Sequence, residues 1–436
     1  MIRNKILLLP VLLCTASVCA QTTYTLDQCR TMALEHNVKI RNGALDTRIA
    51  DQSAKEAFTR YFPQIAAAGT IFRSSDPMLR ADIALPDIPA LAALGFPASM
   101  PFELMDRGKA AGITAMLPLF AGGQIVNGNK LARAGREASA CRQTLAENEV
   151  AATTERYFWQ IVALNEKLRT IEAAEAQLAE VYKNVSTAVE AGISTRNDLL
   201  RVELQQQRTA SDRLRAENGL KAAKLLLRHQ TGIETRDFEV AFDGFPAVEP
   251  PDRYYLSPEE GADRRAETRL LEAQVEAARY RKRMALGKNL PTVGIGAGYV
   301  YHDFTDKDTD FGMVFASVSL PISAWWGGSH ALKRERLKQQ QAENDREDAR
   351  GMMLVEIESK WNDLQEAYSQ ILLSERSIAS ATENLRLNND YFRAGTVPLT
   401  DLLDAQTLLQ QSRDLRTDAC TAYYEKLTAY LQATGR

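Results

Sequence analysis

Apolar positions fall into two different rhythms along this chain. Between Tyr157 and Val189 the residues Tyr157, Ile161, Leu164, Leu168, Ile171, Leu178, Tyr182, Val185 and Val189 follow a four-three alternation, broken only by a polar position at Glu175. A second series, Leu354, Ile357, Trp361, Leu364, Tyr368, Ile371, Ile378, Leu385 and Phe392, repeats the pattern. Both read as coiled-coil seams on long helices. Proline placement agrees, since none occurs between Pro118 and Pro246, and Pro398 is the only one after Pro321. From Gln124 to Glu190 an uninterrupted helix would be ~100 Å long at 1.5 Å per residue. After each Ala-Gly turn a return helix is expected, from Asp198 to about Gln230 and from Asp401 to about Ala433. Leu408, Leu415, Ala422 and Ala429 keep a seven-residue spacing, which predicts that this stripe packs the second return helix against its partner.

The other rhythm has period two. In "TVGIGAGYVY" Val293, Ile295, Ala297, Tyr299 and Tyr301 form one face, and Gly294, Gly296 and Gly298 lie on the other. In "VFASVSLP" Val314, Ala316, Val318 and Leu320 oppose Ser317 and Ser319. Apolar residues outside and small ones inside are the signature of a membrane β-barrel strand. Strands over 64–73, 111–120, 292–302 and 312–321 are each ~33 Å long, enough to cross an outer membrane at a tilt. Four strands cannot close a barrel, so several protomers must share one. Aromatic girdles are expected from Tyr299 and Tyr301 at one end and Phe120, Trp325 and Trp326 at the other. The two tryptophans also fit ordinary packing at a helix start.

The chain is an internal duplication. At a constant offset of 203 residues Leu117-Pro118 falls on Leu320-Pro321, Ala191-Gly192 on Ala394-Gly395, Asp198-Leu199-Leu200 on Asp401-Leu402-Leu403, and Thr231-Gly232 on Thr434-Gly435. The expected organisation is a signal peptide at 1–20, a first repeat at 21–232 with its tip turn at 190–198, and a second at 233–436 with its tip turn at 393–401. Residues 74–110, with five prolines and neither period, read as a long external loop. Residues 233–258 read as a linker between the repeats.

Composition narrows the function. The 53 basic and 56 acidic residues nearly balance, giving no nucleic-acid footprint. The first twenty residues have the charged start, apolar centre and small-residue end of a secretory signal, with cleavage before Gln21. Lipidation at Cys19 is the alternative, although Val18 is a poor residue before a lipidated cysteine. Cys29, Cys141 and Cys420 then remain, too few and too widely spaced for a disulfide framework or zinc site. No later stretch of 18 apolar residues supports a transmembrane helix.

Catalytic chemistry has no foothold. His36, His229, His302 and His330 are scattered without carboxylate or cysteine at ligand spacing. "GIGAGY" superficially resembles a phosphate-binding loop, but it lies in a strand and no helix follows. Asp306, Asp308 and Asp310 alternate as in a calcium loop, yet the glycine arrives one position late and no glutamate stands at position twelve. Neither an enzyme, a metal nor a cofactor is expected. Asp401 and Asp404 stand at the start of the second return helix, where Thr400 or Asp401 is expected to serve as N-cap, with Asp198 as the counterpart in the first repeat.

The assembled motifs resemble the outer membrane efflux proteins, the TolC-like channels, over essentially the whole mature chain. "YTLDQCRTMALEHNVKI" resembles the family's opening helix, "AFTRYFPQIAAAG" and "MALGKNLPTVGIGAGY" its helix-to-strand junctions, "LEAQVEAARYRKRMA" its central helix, and "VEAGISTRNDLL" and "FRAGTVPLTDLLDAQ" its two periplasmic tips. The resemblance implies a mixed α/β membrane protein: a homotrimer with a 12-stranded barrel in outer-membrane lipid, continuous with a helical coiled-coil periplasmic tunnel. It implies a passive exit duct of a tripartite efflux pump, working with a periplasmic adaptor (membrane fusion) protein and an inner-membrane RND or ABC transporter.

Residue by residue, Asp401 and Asp404 match the family's aspartate gate, and three chains would set six such carboxylates around one axis. Arg201, the counterpart of Asp404, is expected to help neutralise them. Ala191, Gly192, Asp198, Ala394, Gly395 and Thr396 match the adaptor-docking tips. The chain departs from the pattern at Val397, where the best-known members carry a latching arginine, and at Ala266, where an Arg-Pro-Glu step has its proline. A duct for type I protein secretion uses the same fold, and a non-channel periplasmic coiled-coil protein is the reading from a different class.

Overall fold

The computed structural model describes residues 22–76, 78–84, 99–104, 107–235, 237–304 and 308–436. The expected signal segment and Asp306 lie outside them. In chain order the elements are β1 (Thr22–Tyr24), α1 (Leu26–His36), α2 (Val38–Thr59), β2 (Gln64–Arg73), β3 (Leu79–Ala84), β4 (Ser99–Leu104), β5 (Arg107–Ala121), α3 (Gln124–Glu190) and α4 (Arg196–Thr231). There follow β6 (Phe238–Val240), α5 (Pro258–Arg264), α6 (Ala266–Gly287), β7 (Thr292–Asp303), β8 (Asp308–Ser319), α7 (Ala324–Arg393) and α8 (Leu399–Ala433). Among the described residues no helix is long and apolar enough to cross a membrane.

Two compact units emerge, and neither coincides with a sequence repeat. Among the described residues one gathers 43–144 and 265–352, the other 22–42 together with 145–264 and 353–436, so each draws on both repeats.

The first unit is built on an antiparallel sheet in the order β2-β5-β7-β8. Its alternation follows from the pleat: Gly294 and Gly296 are buried while Ile295 and Ala297, alternating with them, are exposed. Glycine is needed at 296 because a Cβ there would lie 2.6 Å from the Phe315 ring of β8. On the opposite face Val314 is 86% exposed and Val318 66%, an apolar row that no described residue covers. Pro118 is accommodated where the register of β5 against β7 shifts, between Pro118 and Phe120, since proline cannot donate to the ladder. β2 and β8 each have one unpaired edge in the single chain. Of the expected aromatic positions Tyr299, Phe120, Trp325 and Trp326 are exposed and Tyr301 is half-buried; Trp326 is 79% accessible, and Trp325 donates its Nε1–H to the Asn289 carbonyl at 2.9 Å.

Within the segment expected as a long, structured or mobile external loop, β3 and β4 pair antiparallel from Leu79↔Leu104 to Ala84↔Ser99, and β5 begins at Arg107, ahead of the expected 111. The short strands escape period analysis since Pro101 interrupts the second of them.

The second unit is helical. Its seams are the expected ones: Ile161, Ile171, Leu178 and Val185 of α3 and Ile357, Leu364 and Ile371 of α7 are all buried. The polar break at Glu175 is explained by Arg213 of α4, which pairs with Glu175, Glu172 and Glu217. On α8, by contrast, the buried stripe is Leu402, Leu409, Tyr423 and Tyr430, while Leu408 and Leu415 are 50% and 52% exposed. The helix carries two apolar stripes about 100° apart, and the expected one is not the one packed within the chain. Tyrosines of α8 also hold the linker. The hydroxyls of Tyr423 and Tyr424 donate to the carbonyls of Glu249 and Pro246, and Tyr430 exchanges hydrogen bonds with Leu256.

Candidate functional site at the hairpin tips

The two tip turns share one backbone solution. Gly192 and Gly395 have φ of 72° and 70°, the left-handed region that only glycine enters without cost. In the first turn Gly192 N–H donates to Val189 O and Ile193 N–H to Ala188 O, at 3.0 and 2.8 Å. In the second, Gly395 N–H donates to Phe392 O and Thr396 N–H to Tyr391 O, both at 3.0 Å. These are paired Schellman closures, satisfying the last carbonyls of α3 and α7. Ala191, Gly192, Ala394, Gly395 and Thr396 are all exposed, and no atom lies within 4 Å of a Cβ added at either glycine.

Beyond the turns the repeats diverge. Thr195 is the N-cap of α4, and its Oγ1 accepts the Asp198 N–H at 3.2 Å. The Asp198 carboxylate reaches back to accept from Thr195 Oγ1 at 2.7 Å, Ser194 Oγ at 3.0 Å and Thr195 N–H at 3.2 Å. This reciprocal capping box lowers the Asp198 pKa, chiefly through the Thr195 hydroxyl, with the nearby Arg201 charge a smaller contribution. The position equivalent to Thr195 is Pro398. It is the N-cap of α8 and forms no side-chain cap bond.

The expected cap at Thr400 or Asp401 is therefore corrected. The helix begins earlier, at Leu399, and Thr400 Oγ1 only donates to Asp401 Oδ1 at 3.3 Å. A proline cap has no N–H to satisfy, so Asp401 is not drawn back as Asp198 is. Asp401 and Asp404 lie three residues apart on the exposed side of α8, while Leu402, Leu403 and Ala405 turn inward. Arg201 is exposed, and its charge is a smaller contribution to the lowered Asp198 pKa.

What holds this geometry is an apolar cluster in which Leu399, Leu402 and Leu403 pack with Leu178, Val181 and Val185 of α3 and Val202 of α4. Beside it lies a groove of about 560 Å³ between the ends of α3 and α7, with Val185, Ile193, Phe392, Val397 and Arg393 among its walls. Sequence reasoning missed Ser194, Thr195 and Pro398 as the residues that set the two aspartates apart. The signal was present, since Thr195 and Asp198 have capping-box spacing and Pro398 breaks it.

Family comparison assigns the whole arrangement. The family model for outer membrane efflux proteins matches residues 30–232 and 259–436, both repeats and both tips. The chain belongs to the outer membrane efflux protein family. Outer membrane protein TolC of Vibrio cholerae serotype O1 is 21% identical over 303 residues, covering 66% of this chain and 68% of that protein. Among solved structures CusC superposes with a TM-score of 0.79 at 16% identity, covering 94% of this chain and 92% of the other. The Campylobacter jejuni CmeC outer membrane channel gives a TM-score of 0.78 at 14% identity, covering 94% and 85%. This outer membrane efflux protein is accordingly a TolC-like channel and not an enzyme, placed in the outer membrane and extending into the periplasm. Each chain supplies four strands to the barrel and long helices to the periplasmic tunnel.

Proposed function

We propose that this protein is the exit duct of a tripartite efflux pump, a homotrimer that conducts substrates passively from a periplasmic adaptor and an inner-membrane transporter to the outside. Two repeats, 21–232 and 233–436, each supply one helical hairpin and two strands. The free edges of β2 and β8 support closure between neighbouring protomers, and twelve strands suffice for a barrel whereas four do not. The half-exposed Leu408 and Leu415 stripe supplies an apolar surface for the same assembly.

Asp401 and Asp404 form the periplasmic constriction. The observation that carries this reading is the contrast between the tips: Asp198 is consumed by its own cap, while both acidic residues of the second tip are exposed and uncapped. Around a threefold axis they make an acidic ring that favours cations and binds divalent ions, and Arg201 offsets its charge from the neighbouring hairpin. The tip turns, with Gly192 and Gly395 exposed, and the groove beside them dock the adaptor. Single-channel recording of Asp401→Ala/Asp404→Ala tests the gate: conductance rises and block by divalent cations weakens. Unchanged conductance and unchanged block would sink the assignment.

A further inference from the structure

The internal duplication gives each face of one hairpin an equivalent on the other, and the offset of 203 residues holds in three dimensions. Arg213 of α4 pairs with Glu172 of α3 at 3.2 Å, and their equivalents Arg416 and Glu375 pair at 3.8 Å. One face of α4 nevertheless has surroundings unlike those of its equivalent. Leu200, Leu204, Leu214 and Leu225, with Gln207, Ser211, Asn218 and Lys221 between them, follow a four-three seam along the helix. Every one of these positions is exposed, the leucines at 47 to 61%. The equivalent face of α8 is covered: Leu403 and Thr417 are buried, and Thr407 and Thr428 are half-buried.

What covers that face of α8 is the first hairpin of the same chain. Leu403 packs with Leu178, Val181 and Val185 of α3, and Tyr424 stacks on Trp159 with ring centroids 4.5 Å apart. Asp418 pairs with Lys167 at 2.7 Å, and Thr407 Oγ1 accepts from Gln205 Nε2 of α4 at 3.5 Å. Moved 203 residues along, the same seat lies on α7 and α8. There Trp159, Val162 and Ala163, all buried, become Asn362, Gln365 and Glu366, all exposed. The Gln205 and Thr407 positions become Leu408 and Leu204, both exposed. Lys167 and Asp418 become Gln370 and Arg215, and Arg215 pairs along its own helix with Asp212 at 3.2 Å.

Head-to-tail repetition of this kind leaves a face free on one hairpin and a seat free on the other. Such a pair is a heterologous interface, which closes into a ring when copies of the chain repeat it. We propose that a second copy fills each: α4 lays its leucine seam on α7 and α8 of the next protomer, with Leu204 against Leu408 of the partner subunit. The inference rests on the trimeric duct proposed above and names the surfaces that join it. The two boundaries differ in chemistry. Within a protomer the hairpins are tied by Lys167 and Asp418, whereas between protomers the seam is apolar and no ion pair crosses at Arg215 and Gln370. Raised ionic strength therefore weakens the first boundary and spares the second.

Disulfide trapping in the full-length protein tests it. Asn362→Cys/Lys221→Cys places cysteines at the equivalents of Trp159 and Tyr424, and copper-phenanthroline oxidation in detergent is expected to give covalent dimers and trimers on a non-reducing gel. Either substitution alone stays monomeric on that gel, which also controls for Cys29, Cys141 and Cys420. Leu204→Asp/Leu214→Asp is expected to lose the trimer in native mass spectrometry and to keep its helical circular dichroism, since both side chains are exposed in the single chain. A trimer that yields no disulfide-linked species in the double-cysteine variant, or that survives both aspartates, overturns the seam. An unmodified protein that is not trimeric contradicts the duct itself, and its mass tells that outcome apart from a trimer joined along other surfaces.

Discussion

Asp198 and Asp401 occupy the same position in the two repeats, yet Asp198 accepts three hydrogen bonds from Ser194 and Thr195 and Asp401 accepts one, from Thr400. The cap exchange, threonine at 195 for proline at 398, together with serine at 194 for valine at 397, separates a capped carboxylate from an exposed one. Stability measurements distinguish the two. Thr195→Ala removes a cap and is expected to cost about 1 kcal/mol in denaturant unfolding, whereas Asp401→Ala stays within about 0.5 kcal/mol. Similar costs at both positions would contradict the division of labour.

The exchange can be reversed. Pro398→Thr supplies the hydroxyl and N–H that the first tip uses, and the Asp401 carboxylate is then drawn back onto its own helix start. With one carboxylate per chain withdrawn, divalent block of single-channel current weakens although both aspartates remain. Block at the original concentration would show that the cap does not compete for Asp401.

Gly192 and Gly395 have open space around them, so their requirement is conformational. Replacing either with alanine places an L side chain at positive φ, at a cost of roughly 1 kcal/mol. The expected result is a small loss in thermal stability with a larger loss of adaptor binding, measured by surface immobilisation. Full adaptor affinity in both variants would remove the turns from the docking surface.

Asp414 supplies a pH dependence. Its pKa is pushed up to about 6, first by burial and then by the neighbouring Asp418 and Asp212, against the opposing charge of Lys167. A raised carboxyl pKa favours folding while the group is protonated. That contribution is lost as pH rises from the ordinary carboxylate range through about 6. Asp414→Asn is therefore expected to stabilise the protein at pH 7.5, on the order of 1 kcal/mol after discounting for its partial exposure, and to add little at pH 4. Equal effects at both pH values would show that charge burial is not the cause.

Much of this fold is written in the chain's two periods. The seam from Ile161 to Val185 needs nothing but heptad spacing to be recognised, and the Gly294–Gly298 alternation against Ile295 and Ala297 needs only the β pleat. The failures have equally specific causes. Leu408 and Leu415 are as regular as Leu402 and Leu409, and only tertiary packing chooses between stripes on one helix. β3 and β4 are too short and too proline-interrupted to show a period. At the site, the two aspartates were visible but their inequality was not, because it depends on which partner stands three residues earlier.

In the proposed trimeric duct Asp401 and Asp404 ring the narrowest point. Planar-bilayer conductance of the purified protein beside Asp401→Ala/Asp404→Ala, with oligomeric mass determined in detergent, tests it most directly. The account predicts a trimer of small conductance that opens further, and loses divalent block, when both carboxylates are removed. A monomer that forms no pores, or a trimer whose current ignores the double substitution, would contradict it.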